Sequence, residues 1–208
     1  MTTTLWTAIP ADYLDPGPLF EPAGELELIP ASESWLDALL AAQDDPLTRE
    51  FMPAAAGIPR EKHLEFLAKL VEGFDPGDPD VGRSPAHHFW MRRRNAGRQP
   101  GALPLVGAIA LRVGHAPDLE RIAGHVGYHV YPFARGQRYA ERACRLLLPL
   151  ARRHALSPLW ITCNPDNLPS RRTCERLGGT LVETVPIPDT HALYARGERE
   201  KCRYRIEL

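Results

Sequence analysis

Apolar positions along the chain recur at a spacing of two in some stretches and of three to four in others, and the switches between them mark out the elements. In Glu25 to Ile29, Leu26 and Leu28 alternate with Glu25 and Glu27, which predicts a strand with one buried face. Trp35, Leu36, Leu39 and Leu40 then fall at helical spacing behind Ser32 or Ser34 as a cap, predicting a helix through Gln43. A second helix is expected from Pro59 to Glu72, with Leu64, Phe66, Leu67, Leu70 and Val71 on its apolar side and Gly73 closing it. The turn formers in residues 75–85 predict an exposed loop.

Strand spacing returns in His88 to Arg92, Leu105 to Val113 and Ala123 to Tyr131, an expected antiparallel meander whose first connection is the turn at residues 95–101. Ala140, Ala143, Cys144, Leu147 and Ala151 then keep one face of a long helix from about Gln137 to His154, which Pro149 should kink or loosen in its last turn. A strand at Leu159 to Cys163, a helix at Asn167 to Leu177 and strands at 180–185 and 202–207 complete the order β-α-α-β-β-β-α-β-α-β-β. This is an α/β chain. Residues 1–23, rich in proline, read as an irregular arm, and residues 24–208 as a single domain.

Composition narrows the picture without naming a function. A chain of 208 residues, 44% hydrophobic and 25% charged with a net charge of -1, has the profile of a globular protein. The charge is unevenly spread: residues 135–208 hold 14 Lys and Arg against 8 Asp and Glu, whereas residues 1–134 hold 11 against 18. An anionic ligand is therefore expected on the C-terminal third. Cys144, Cys163, Cys174 and Cys202 form no zinc or redox spacing and read as reduced thiols in a cytoplasmic protein. Neither a signal peptide nor a membrane-spanning run is evident. The run Arg92, Arg93, Arg94 at a strand end reads as a solvated edge, and no nucleic-acid or membrane partner is expected.

The chemistry concentrates after the third meander strand. There Val130, Tyr131 and Pro132 end a strand, and Arg135, Gly136, Gln137, Arg138, Tyr139 and Ala140 open a helix. A helix start gathers unpaired backbone N–H groups and partial positive charge, which suits phosphate; Gly136 lets the backbone come close and the arginines add charge. Downstream come Asn167-x-x-Ser170 and then Glu175-Arg176-Leu177-Gly178.

In these motifs the chain resembles the GNAT acetyltransferase superfamily, and in GH-x-GY at 124–128 a bacterial subgroup of it. The resemblance implies a mixed, mostly antiparallel splayed sheet flanked by helices, with acyl-CoA inserted between the family's fourth and fifth strands. It implies further that the Tyr128 backbone meets the acyl carbonyl and Val130 the pantetheine. Residues 135–140 would take the pyrophosphate, with Asn167 and Ser170 beside the pantetheine arm. The expected activity is transfer of an acyl group, most simply acetyl from acetyl-CoA, to a small-molecule or peptide amine in a ternary complex. Two positions depart from the family pattern. Arg138 stands where the first glycine of Gly-x-Gly/Ala is usual, and a helix start does not of itself demand positive φ there. Cys174 stands where a tyrosine acid is frequent.

Proton transfer needs a base for the amine and an acid for the leaving thiolate. Of His125 and His129, His125 is taken as the base, and Cys174 as the acid, each with a purely structural reading beside it. His115, His125 and His129 lie close enough in sequence to raise a metal, but no carboxylate or cysteine support accompanies them, so none is expected. A non-catalytic acyl-CoA sensor is the alternative reading, and dimerisation is left open.

Overall fold

The computed structural model describes residues 13–98 and 101–208; most of the N-terminal arm and part of the 95–101 turn lie outside the described residues. In order, the elements are β1 (Leu19–Phe20), β2 (Leu26–Pro30), α1 (Leu36–Asp44), α2 (Pro46–Phe51), α3 (Pro53–Ala56), α4 (Arg60–Leu67), β3 (Phe74–Asp75), β4 (Ala86–Arg93) and β5 (Leu105–Arg112). There follow β6 (Val126–Val130), α5 (Tyr139–Arg153), β7 (Leu159–Cys163), α6 (Leu168–Arg176), β8 (Thr180–Pro186), α7 (Ala192–Ala195) and β9 (Glu200–Ile206).

The strands form two antiparallel sheets. The larger runs β1-β2-β4-β5-β6, with β3 beside β4; the smaller runs β7-β9-β8. Alternation gives the larger sheet two unlike faces. Phe89, Met91, Ile109, Leu111 and Val126 turn to one side and pack on the Ala143, Cys144, Leu147, Leu150 and Ala151 stripe of α5, a core that continues into β7 and β9 through Leu159, Ile161 and Tyr204. On the other side Trp90 and Leu105 meet Leu36, Leu39 and Ala42 of α1. There the sheet is floored by Ala108, Ala110 and Gly127, which occupy paired positions facing α1 and α4. So small a floor leaves open space beneath the helices.

Several elements depart from the sequence expectation for identifiable reasons. The arm contributes β1, because Leu19 and Phe20 pair with Leu28 and Glu27. Between the two expected helices lie α2 and α3, too short for periodicity to reveal: Asp45 caps the first through its side chain and a proline opens each. The second expected helix, α4, ends at Leu67, as the next residues turn back so that Val71 can bridge Phe74. The third meander strand begins at Val126, because Leu119–Ala123 wind into a π-helical turn that Gly124 ends with φ +71°. Pro149 does not end α5, which runs on to Arg153; the ring sits on the exposed face, where water can bond the carbonyl it leaves unpaired. The three consecutive arginines are held within the chain, Arg92 by Glu27, Arg93 by the Leu103 carbonyl and Arg94 by the carbonyls of Glu21 and Gly24. Among the described residues no helix is long and apolar enough to cross a membrane.

Candidate active site

The two sheets meet at one point and then part. At the meeting point the His125 amide donates to the Trp160 carbonyl at 2.7 Å, and the Trp160 amide donates to His125 Nδ1 at 2.9 Å. Beyond it β6 is an edge strand. The His125 carbonyl accepts from Arg112 and the Tyr131 amide donates to Val106, so alternate residues bond toward β5. The backbone groups of Val126, Tyr128 and Val130 therefore face the gap toward β7. A cavity of about 590 Å³ occupies that gap, lined by Tyr128, Thr162, Cys163, Asn167, Ser170 and Lys201 among others. Four cations, Arg83, Arg112, Arg196 and Lys201, border it and no carboxylate does, the charge balance that an anionic ligand wants.

The residues expected around a cofactor divide into those that face outward and those that do not. Arg135, Gly136, Gln137 and Arg138 are all exposed and form the connection into α5. Gly136 has φ +85° with no atom near a Cβ built on it. Arg138 corrects one expectation: it takes φ +56°, ψ 28°, the left-handed conformation that a glycine adopts freely and other residues only at a cost of about 1–2 kcal/mol. The turn does require positive φ, and this chain meets the requirement with an arginine. The Ala140 amide lies in the open first turn of α5. The Tyr139 side chain turns away into the core, where its hydroxyl bonds Glu25 beneath the Arg142 guanidinium, so only its backbone is left for a ligand. Val130 packs its side chain on the core and directs its carbonyl toward Arg135 Nε at 3.4 Å.

Across the gap, Asn167 caps α6 by accepting from the Ser170 amide at 3.2 Å. The Ser170 hydroxyl lies 2.7 Å from the Tyr128 hydroxyl, so β6 and α6 meet through a pair of buried hydroxyls at the wall of the cavity. Burial raises the Tyr128 phenol well above its ordinary range. Cys163 and Ser170 line the cavity, but Cys174 does not. Its side chain is fully buried; its interaction with Cys163, and then burial, hold the proton on Cys174, while the same interaction lowers Cys163. The expectation of Cys174 as the acid gives way on position, since it sits behind the residues that face the cleft.

His125 is also corrected. It is 0% exposed; Nδ1 accepts from Trp160, so Nε2 carries the proton and points at the Gly114 carbonyl at 3.1 Å. Both nitrogens are occupied and burial holds the ring neutral, which leaves no lone pair for a substrate. The same tautomer bears on a metal. His115, Glu120 and His125 bring their ligand atoms within 4.8 Å of one another, yet a protonated Nε2 cannot ligate. His129 differs: it lines a second cavity, its Nε2 is buried without a hydrogen-bond partner among the described residues, and burial, helped by Arg135, takes it down to about 4.

That second cavity, of about 490 Å³, lies on the small-residue floor between the sheet and α1 and α4, and a third of about 400 Å³ adjoins it. Arg112, Gly127 and Tyr128 border both the cleft and the second cavity, so the two spaces meet across β6. Arg112, His88 and His63 went unnoticed in the sequence, although the Ala-Ile-Ala-Leu-Arg alternation of 108–112 already marked a face of small residues ending in a cation.

A family model described as Acetyltransferase (GNAT) domain matches residues 25–180. No curated protein matches by sequence. Among solved structures, RimL, a ribosomal alpha-N-protein acetyltransferase in complex with coenzyme A, aligns with TM-score 0.64 at 15% identity over 92% of this chain and 98% of its own. MccE, a microcin C7 self-immunity acetyltransferase in complex with acetyl-CoA and AMP, gives 0.64 at 15% over 91% and 99%. A GNAT-family acetyltransferase from Bacillus anthracis gives 0.58 at 17% over 88% and 95%. With the family model spanning β2 to the start of β8, the chain belongs to the GNAT acetyltransferase family.

Proposed function

We propose that this protein transfers acetyl from acetyl-CoA to a primary amine, both substrates being bound together. The observation that carries the reading is the junction at Gly127 and Tyr128, where a cationic cleft between β6 and β7 meets a separate cavity over the sheet. A thioester laid in the cleft has its carbonyl beside the free Tyr128 backbone, and an amine in the cavity approaches it from the far side. Coenzyme A and acetyl-CoA complexes of RimL and MccE, which share the fold, support that choice of donor.

In this reading the backbone amides of Tyr139 and Ala140, together with Gly136, Gln137 and the cations Arg135 and Arg138, take the pyrophosphate. Val130 and Asn167 flank the pantetheine. The neutral amine attacks the thioester carbon, the C–N bond forms, the C–S bond breaks, and the sulfur leaves with a proton. His129 Nε2, buried without a partner in the wall of the acceptor cavity, accepts the N–H of the incoming amine once the ring turns toward it, and the Ser170 and Tyr128 hydroxyls stand nearest the departing sulfur. Proximity does much of the remainder. Free thiols at all four cysteines agree with a cytoplasmic setting.

Calorimetry with acetyl-CoA and with CoA, followed by thiol release on an amine panel, tests the reading. Binding with turnover on at least one amine is expected. Absence of binding at millimolar ligand would overturn it, and binding without turnover on any amine would favour a sensor.

A further inference from the structure

The cavity over the sheet contains one formal charge with nothing to balance it. Its walls are apolar or aromatic at Leu39, Phe66, Leu67 and Trp90, no aspartate or glutamate among the described residues lines it, and burial keeps His63, His88 and His129 below their usual basicity. The exception is Arg112. This residue ends β5, borders all three cavities, and donates through one guanidinium nitrogen to the carbonyls of Ala123 at 3.3 Å and Gly124 at 3.0 Å. Its other terminal nitrogen lies over Gly127, close enough that a Cβ there would stand 2.9 Å from it. Of the neighbouring cations, Arg83 is matched by Asp75 and Lys201 by Glu198. Arg112 has no carboxylate partner among the described residues, and burial lowers its basicity.

A guanidinium stays charged at neutral pH even when half-buried, so the two backbone carbonyls offset its desolvation only in part until an anion arrives. The fork geometry favours a planar carboxylate. Because the group lies over Gly127, one residue from Tyr128, an anion held there is within a few bonds of a nitrogen attacking at the Tyr128 backbone. We infer that the acceptor is a primary amine carrying a carboxylate a few bonds from its nitrogen and an apolar remainder, and that Arg112 is the residue that reads the carboxylate. A polyamine finds no counter-charge in this cavity. The inference rests on the acetyl-transfer reading given above.

Two sources share this chemistry: a free amino acid, whose carboxylate is its own terminus, and a peptide whose first residue is aspartate or glutamate. The experiment compares leucine with leucine methyl ester, and peptides beginning with Asp or Glu with their Asn or Gln counterparts, by thiol release corrected for the fraction of neutral amine. The carboxylate member of at least one pair should win by about 10-fold to 100-fold in kcat/KM, the span of a charge-assisted hydrogen bond, and the winning pair identifies the source. In Arg112→Gln the preference should collapse toward one, and Arg112→Lys should recover part of it. Should Arg112→Gln unfold, the matched pairs on the unmodified protein still decide. Where turnover is too slow to measure, the same ratio is sought in acceptor binding to the CoA complex. Tight acetyl-CoA binding with indifference to the carboxylate in both pairs overturns this inference alone; failure to bind acetyl-CoA overturns the transfer reading as well.

Discussion

His125 and Trp160 hold the two sheets together by a reciprocal pair of bonds, the His125 amide to the Trp160 carbonyl at 2.7 Å and the Trp160 amide to the imidazole Nδ1 at 2.9 Å. His125→Ala should therefore act on stability. Loss of a buried ring and of the acceptor for the Trp160 amide should cost about 2–4 kcal/mol in thermal unfolding. His129→Ala should retain the fold and lower kcat/KM by more than about 10-fold. If His125→Ala keeps its melting temperature and loses turnover, the two roles are reversed.

Arg138 occupies a left-handed backbone with a side chain that disfavours it. Arg138→Gly is expected to raise stability by up to about 1 kcal/mol by relieving that conformation. It should also weaken CoA binding several-fold through loss of a cation. Differential scanning calorimetry and CoA titration read the two effects separately; an unchanged melting temperature combined with unchanged affinity would refute both.

Tyr128 and Ser170 bring their hydroxyls to 2.7 Å at the cleft wall. Tyr128→Phe should lower kcat by about 10-fold or more while KM for acetyl-CoA changes little, because the ring still fills its place and only the proton path is cut. A matching loss in KM would place the hydroxyl in donor binding instead.

Acid should destabilise the fold through its histidines before its carboxylates. His87 is taken down to about 3 by burial and, secondarily, by the nearby His154 charge, and His129 to about 4. A histidine whose folded pKa lies below its unfolded value is protonated first in the unfolded chain, so the stability from its neutral form is full above about pH 6.5. It is lost as pH falls toward those folded values, at about 1.4 kcal/mol per pH unit for each such residue. Melting temperatures should begin to drop below about pH 6.5; a flat profile from 7 to 5 would show that these rings ionise in the fold.

Gly124 carries φ +71°, and a Cβ there would stand 2.9 Å from the Thr162 amide. Gly124→Ala thus meets both strain and backbone, and should cost more than about 2 kcal/mol in denaturant unfolding. Neutral behaviour would mean that the point where the sheets part is softer than its geometry indicates.

The main strands, the long helices and the α5 stripe were legible in the chain, because each rests on periodicity local in sequence. What could not be read there depends on which side of β6 a residue falls. His125 and His129 share a spacing of four, and only the winding of Leu119–Ala123 into a helical turn decides that the first is clamped between sheets while the second lies over the floor. Cys174 and Cys163 are likewise separated by one packing layer that no spacing reports. Arg112 was invisible for a different reason: an arginine ending a strand looks solvated until the structure shows what surrounds it.

The floor of Ala108, Ala110 and Gly127 has a further meaning for how such a site can change. Ala108 and Ala110 lie on a strand whose opposite face is set by the main core, and they line the cavity without lining the cleft, so enlarging either narrows the space for the amine without disturbing the cleft across β6. Acceptor size is thus adjustable one methyl at a time at two positions, independently of the donor. A family able to vary what it modifies while keeping the same activated group would need this separation, and here it is written into the two sides of a single strand.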